Sequence, residues 1–295
     1  PSPPGHTPRH RMQPRFIPRL LGIDFTSTPR RAKPVTVAHG HLDGARVVLD
    51  RFERCADWPS FEALLARPGP WLGAFDFPFG LPREAVVDLG WPQPWAELVR
   101  HCAALGKPAF RAALDAYRES RPAGRRYAHR ATDLPARSHS PLKLVNPPVG
   151  LMFLEGAPRL LAAGVQVPGV RDGDTQRVAV EAYPGLLARR LTKVSYKSDE
   201  RRKQTAERRA ARSHIVAALT AERPATKSTW DTPVLVATPA QRQALVDDAS
   251  GDLLDAALAL VQAAAAARHG PPRFGLPLAM DPLEGWITGC EASSA

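Results

Sequence analysis

The sequence predicts a single α/β domain in which a mixed five-stranded sheet is flanked by helices. Three observations support this class. Early in the chain, short segments rich in Val, Leu and Ile alternate with turn residues, a pattern typical of strands. A helical pattern then precedes a further strand, and a strand-helix-strand connection usually joins parallel strands. Near the C-terminal end, an Ala-rich apolar segment predicts a buried helix.

The first three predicted strands form an antiparallel meander. They cover residues 19–25, 34–40 and 45–52. The dipeptide Asp43-Gly44 lies between the second and third strands and is typical of a tight hairpin turn. We therefore expect the three strands to pair in chain order.

A helix and a fourth strand follow the meander. Residues 58–66 have helical spacing, and residues 71–77 form an apolar strand pattern. Pro78 and Gly80 end this strand, because proline lacks the N–H that a central strand must donate. The connection through the helix predicts parallel pairing for the fourth strand.

Residues 82–165 are predicted to be a helical and basic insertion between the fourth and fifth strands. The pattern is helical over residues 82–120 and becomes polar, basic and irregular over residues 121–148. Loops of that length are usually functional or disordered. We interpret this one as a functional insertion.

Three elements complete the predicted domain. A fifth strand covers residues 177–181, and a basic helix covers residues 197–212 with Ser198 as its N-cap. The last helix covers residues 251–270 and has two acids in its first turn. The domain is expected to span residues 19–289, between a flexible basic Pro-rich arm (residues 1–18) and a short tail (residues 290–295).

The composition indicates a globular protein without a membrane span. The chain has 295 residues and contains no run of about 18 apolar residues, the length a membrane-spanning helix needs. Its three cysteines are widely spaced, which fits neither a disulfide framework nor a zinc cluster. We expect a reducing, cytoplasmic location.

Three acids follow apolar strand patterns at the same relative position. Asp24 follows "LLGI", Asp76 follows "WLGAF" and Glu181 follows "VAV". Each acid alone is explained by a turn or cap. Because sites in open sheets form outside the carboxyl ends of parallel strands, the three acids together could converge on one edge.

Two more acids could join them from the last helix. Asp252 and Asp255 are three residues apart and therefore share one helix face, although the helix dipole alone also favours acids in a first turn. Crowded carboxylates repel one another unless cations neutralise them. Hard oxygen ligands of this kind select Mg²⁺ or Mn²⁺, and a pair of such ions can hydrolyse a phosphodiester.

These motifs resemble a known family. The order of elements, with acids on the first strand, a later strand and the last helix, looks like the RNase H-like fold. More specifically, the chain is similar over residues 20–289 to DUF429, a domain of unknown function whose members are regarded as RNase H-like nucleases. The motifs that carry the resemblance are "GIDFTS", "GAFDFPFGLP", "VAVEAYP", "SYKSD", "GDLLDAALAL" and "EGWITG".

The resemblance implies a role for each matching acid. It implies metal ligation and catalysis by Asp24, Asp76 and Glu181, together with Asp252, Asp255 or both. Lys197, in "SYKSD", would assist electrostatically at a phosphate. The implied activity is metal-dependent hydrolysis of a phosphodiester.

The positive charge of the chain points to a nucleic-acid partner, DNA or RNA. The formal net charge is +11 and the pI is about 10.2, and such a charge favours polyanions. Phosphate contacts need only positive side chains. The residues expected to make them are Arg125, Arg126, Arg130, Lys143, Lys197, Arg201 and Arg202.

Two other functions remain open from the sequence. A non-catalytic nucleic-acid binder would keep the fold and the basic residues without cleavage. An actin-like or sugar-kinase ATPase would also place an acid and hydroxyl residues after the first strand, as in "DFTST". Such phosphate loops need glycines, and here Phe25 and Pro78 occupy the two loops, which disfavours the kinase.

Overall fold

The computed structural model describes residues 18–222 and 232–292 of the chain. The predicted N-terminal arm therefore lies outside the described residues except for Pro18, as do residues 293–295 of the predicted tail. The described residues form an α/β structure with one mixed sheet. Its strands are β1 (Arg19–Asp24), β2 (Val35–Asp43), β3 (Arg46–Cys55), β4 (Trp71–Phe75), β5 (Val165–Gln166), β6 (Asp174–Glu181) and β7 (Val234–Val236).

The sheet has seven strands in the order β5-β6-β4-β1-β2-β3-β7. The meander is confirmed, because β1 pairs with β2 and β2 with β3 in antiparallel fashion. The parallel pairing of β4 with β1 is also confirmed, and β6 pairs with β4 in parallel. The expected count of five strands is wrong, because β5 and β7 were missed. These strands have two and three residues, too few to produce a period in the sequence.

Helices cover both faces of this sheet. The described helices are α1 (Trp58–Leu65), α2 (Arg83–Asp88), α3 (Trp95–Glu119), α4 (Asp133–Ala136), α5 (Val149–Ala163), α6 (Pro184–Leu191), α7 (Ala206–Thr220), α8 (Pro239–Asp247) and α9 (Asp252–His269). Helices α6 to α9 share one buried cluster with the sheet, and α1 and α5 share another.

The chain between β4 and β5 contains four of these helices. Helices α2, α3 and α5 pack together around their own apolar cluster, which includes Leu98, Phe110 and Phe153. The irregular segment between α3 and α5 contains only the short helix α4. This part of the chain is therefore helical at both ends and mostly irregular in the middle.

The predicted start of the basic helix is wrong. Helix α7 begins at Ala206, where the Thr205 hydroxyl accepts a hydrogen bond from the Arg208 N–H at 3.3 Å. Ser198 lies in the irregular segment before it, which contains a 3₁₀ turn at Arg201–Lys203. The segment around Ser198 is held instead by the backbone, since the Ser198 N–H donates to Ala249 O at 3.2 Å.

Helix α9 is almost completely buried and lies directly on β1. A Cβ atom added to Gly22 would lie 2.1 Å from both Ala256 O and Leu260 N of α9. The absence of a side chain at Gly22 therefore sets how closely the helix approaches the strand. This close contact brings the first turn of α9 to the carboxyl end of β1.

Gly22→Ala should lower the free energy of unfolding by about 3 kcal/mol, because the new methyl group would overlap backbone atoms that cannot rotate away. Urea denaturation measures this change. Gly44→Ala is the matched control: Gly44 has φ +60° and no atom within 4 Å of the added Cβ, so we expect a cost of only about 1 kcal/mol from the left-handed backbone. Equal costs for the two variants would argue against the tight α9 contact.

None of the described helices is long and apolar enough to cross a membrane.

Cys55, Cys102 and Cys290 are buried, and none of the three forms a disulfide.

Candidate active site

The parallel pairing of β1 and β4 places Asp24 beside Asp76. Ile23 is opposite Phe75 in the register, and the Asp76 N–H donates to Ile23 O at 2.9 Å. Asp24 and Asp76 are the next residues on the two chains. Because side chains alternate between the faces of a sheet, both carboxylates lie on the side that α9 covers.

Helix α9 supplies a third carboxylate. Asp255 lies in the first turn of the helix and is fully buried. One carboxylate oxygen from each of Asp24, Asp76 and Asp255 lies within 4.8 Å of the other two. We call these three residues the acidic cluster. The convergence of strand-end acids with the last helix is therefore present for three of the five predicted carboxylates.

Burial and mutual repulsion raise the pKa values in the acidic cluster. The pKa of Asp24 is raised well above its usual value by burial and then by the charges of Asp255 and Asp252, against the opposing effect of Lys197. The pKa of Asp76 is raised to about 7 by burial and by Asp255. The ionised cluster is thus unfavourable without a compensating cation.

Asp255 is held by two neighbours from the segment that precedes α7. The Tyr196 hydroxyl donates to Asp255 Oδ1 at 2.5 Å, and Lys197 Nζ donates to Asp255 Oδ2. Burial would lower the pKa of Lys197, but Asp255, Tyr196 and Asp24 raise it well above its usual value. Lys197 is therefore positively charged beside the acidic cluster. It contacts Asp255, one of the two helix acids between which the sequence could not choose a metal ligand.

Asp252 lies outside the acidic cluster. Its Oδ1 accepts from Lys33 Nζ at 2.7 Å, and the same ammonium group contacts Asp199 at 2.9 Å. Hydrogen bonding to Asp252 raises the pKa of Lys33 despite its burial. Of the two acids on α9, the structure thus pairs Asp252 with a lysine and brings only Asp255 to the strand ends.

Glu181 is also not part of the acidic cluster, contrary to the expectation for three converging strand ends. It is opposite Phe75 in the register. Asp76 is the next residue after Phe75, so Glu181 lies one position before Asp76 along the parallel strands. Because successive side chains of a strand point to opposite faces, the Glu181 side chain lies on the face of the sheet opposite to Asp76. There Oε1 accepts from Arg130 Nη2 at 2.7 Å, while Oε2 accepts from Arg130 Nη1 at 2.8 Å and from the Phe79 N–H at 2.9 Å.

Arg130, one of the predicted nucleic-acid contacts, lies buried in a network of acids. Only 2% of Arg130 is exposed. Besides Glu181, its guanidinium group donates to Asp133 Oδ1 at 2.9 Å and to Glu284 O at 3.0 Å. Asp133 is only three residues away, but Glu181 is distant in sequence, so charge patterning alone could not reveal the ion pair with Glu181.

Asp24 and Asp76 of the acidic cluster line a cleft of about 780 Å³, whose lining also carries several cations. Arg189 is fixed there by hydrogen bonds to Ala136 O and Arg137 O. Arg30 and Lys193 are exposed and form no ion pair with any residue in the described ranges. Sequence reasoning missed these residues, although the basic runs "PRRAK" and "ARRLTK" were visible signals. The cations of the lining are Arg30, Lys33, Arg130, Arg189, Lys193 and Lys197.

The remaining predicted nucleic-acid contacts do not line this cleft. Arg125 and Arg126 are exposed in the irregular segment after α3, and Lys143 is half-buried. Arg201 and Arg202 are exposed in the 3₁₀ turn, where Arg202 contacts Glu200 at 3.0 Å. Their role stays a prediction.

The raised pKa of Asp76 predicts that stability falls with rising pH. Asp76 would release its proton near pH 3.8 in the unfolded chain but at about 7 in the folded protein. Its stabilising contribution is therefore complete below the lower value and lost as the pH rises to the upper one. Thermal melting across this range, in chelator, should show the decrease. Asp76→Asn should reduce it, and an unchanged decrease would contradict the assignment.

Comparisons with known proteins give one result about the family. A family model described as "Protein of unknown function (DUF429)" matches residues 22–274. A search of curated proteins and a search of solved structures both return no match. The family match covers most of the chain and contains all three residues of the acidic cluster. The chain therefore belongs to the DUF429 family of proteins of unknown function.

Proposed function

We propose that this protein is an RNase H-like nuclease that hydrolyses phosphodiester bonds of nucleic acid with Mg²⁺ or Mn²⁺. The observation that carries the proposal is the approach of Asp24, Asp76 and Asp255, whose carboxylate oxygens lie within 4.8 Å of one another. These three residues would hold the metal. In this proposal Asp252 and Glu181 do not hold the metal. They form ion pairs with Lys33 and Arg130 instead.

The acidic cluster fits a hard divalent cation. Carboxylate oxygens are the ligands that Mg²⁺ and Mn²⁺ prefer. Among the described residues, none donates a hydrogen bond to the side chain of Asp24 or Asp76. Their raised pKa values arise from burial and from the repulsion between like charges. A bound cation offsets that repulsion.

The described residues have distinct roles in the proposed reaction. When bound, a divalent ion supplies an activated water and neutralises charge on the phosphate. Tyr196 and Lys197 orient Asp255 through their contacts with its two oxygens. The charge of Lys197 would also attract the phosphate, so the same side chain would position a ligand and bind substrate.

The topology supports an RNase H-like assignment. The meander, the neighbouring parallel strands β4 and β6, and the last helix occur in the order that the resemblance implies. Acids lie at the end of β1, directly after β4 and on α9. In this assignment the helices between β4 and β5 are an insertion, and β5 and β7 extend the sheet at its edges.

The cationic lining of the cleft supports a nucleic-acid partner. Arg30 and Lys193 provide positive charges without ion-pair partners in residues 18–222 and 232–292, as phosphate binding requires.

We propose a cytoplasmic location as well, supported by the three cysteines in thiol form.

Adding and removing metal tests the proposed function. We expect Mn²⁺ or Mg²⁺ to raise the melting temperature and to permit cleavage of labelled single-stranded or duplex DNA and RNA. A chelator should abolish both effects. Stabilisation should follow the free metal concentration, because the ion binds the folded state only.

Two outcomes would count against the proposal. Absence of any thermal shift with either ion would remove the metal site. A thermal shift combined with salt-sensitive binding, but no products from any substrate, would identify a non-catalytic nucleic-acid binder.

A further inference from the structure

Two residues of the acidic cluster, Asp24 and Asp76, line the cleft. Asp24 is only 8% exposed, so a phosphate must enter the cleft to reach it. The cleft volume of about 780 Å³ lies within the range of pockets that enclose one small molecule, roughly 300 to 1,000 Å³. A space of this size suits one nucleotide with its flanking phosphates.

The lining of the cleft has an apolar part and a charged part. Pro147, Pro148, Val149 and Met152, around the first turn of α5, line it with surfaces that are only partly buried. The cations Arg30 and Lys193 belong to other segments, between β1 and β2 and after α6. An unstacked base needs an apolar surface, and its phosphates need positive charge.

Resting on the proposed function, we infer that the cleft binds an unpaired nucleotide and that the substrate is single-stranded nucleic acid or an unpaired strand end. The base lies against the apolar surface around Met152, and the scissile phosphate reaches the acidic cluster. A nucleotide within a duplex must first be unstacked and unpaired to do this, at a cost of a few kcal/mol. That cost is smallest for a single strand.

Equilibrium binding provides the first test. Fluorescence anisotropy in chelator would compare a labelled single-stranded oligodeoxynucleotide with the blunt duplex of the same sequence. We expect the single strand to bind at least about tenfold more tightly. Equal affinities would overturn the inference whether or not the protein cleaves nucleic acid.

Cleavage in Mn²⁺ separates this inference from the proposed function. Faster cleavage of the single strand supports both. Equal cleavage of a blunt duplex overturns the inference but leaves the nuclease intact. No cleavage of any substrate, with single-strand preference retained in binding, overturns the proposed function and leaves the binding inference standing.

A matched pair of variants tests the apolar surface. Met152→Ala should weaken single-strand binding about fivefold, because the base loses apolar contact area, and Met152→Leu should restore it. Leu278→Ala is the control, since Leu278 is 88% exposed and does not line the cleft. Melting curves check that the variants fold. Unchanged affinity in a folded Met152→Ala variant would contradict the proposed base position.

Discussion

If the proposed nuclease reaction occurs, Asp24→Asn and Asp255→Asn should each reduce Mn²⁺-dependent cleavage by about a hundredfold or more, because each removes one proposed charged ligand from the acidic cluster. Asp252→Asn should retain most of the activity. Asp252 lies on the same turn of α9 as Asp255 but contacts Lys33 instead of the cluster. Comparison of the three cleavage rates at equal protein concentration provides the measurement.

The melting temperature distinguishes a variant that has lost a metal ligand from a variant that has lost its fold. The pKa of Asp24 is raised by burial and by neighbouring acids, so its ionised form destabilises the folded protein near neutral pH. Asp24→Asn should therefore melt at the same or a higher temperature than the wild type in chelator, and its response to Mn²⁺ should disappear. If Asp252→Asn lost activity as severely as Asp255→Asn, the assignment of the helix ligand would be wrong.

The strand-end acids show what the sequence could predict. Asp24 and Asp76 each follow an apolar strand, and adjacency in a parallel pair was enough to bring them together. Glu181 looked equivalent because "VAVE" also ends on an acid. The interstrand register differs by one residue, however, and a shift of one residue moves a side chain to the other face. The register is a property of the assembled sheet and cannot be derived from one strand alone.

The same limit applies to the charged residues. Asp252 and Asp255 were predicted to share a helix face, and both lie in the first turn of α9. In the folded protein α9 packs closely on Gly22, Asp255 reaches the strand ends and Asp252 pairs with Lys33. Arg130 was predicted to contact nucleic acid and Lys33 was not singled out, yet each is paired with an acid distant in the chain. Local charge patterns do not encode such partners.

Removal of the buried guanidinium group should have the largest effect on stability. Arg130→Met would leave the buried carboxylates of Glu181 and Asp133 without their cation, and breaking a buried ion pair costs about 3 to 5 kcal/mol. Urea denaturation should show this decrease. Arg202→Met is the control, because Arg202 and its partner Glu200 are exposed and exposed pairs contribute little.

A second substitution tests whether the loss comes from the uncompensated charge. Adding Glu181→Gln to Arg130→Met should restore part of the lost stability, because the double variant no longer buries that unpaired carboxylate. If Arg130→Met instead kept wild-type stability and weakened nucleic-acid binding, Arg130 would be an accessible substrate contact, as the basic pattern of its segment predicted. The ion pair with Glu181 would then have to open when substrate binds, which would return Glu181 to the set of available metal ligands.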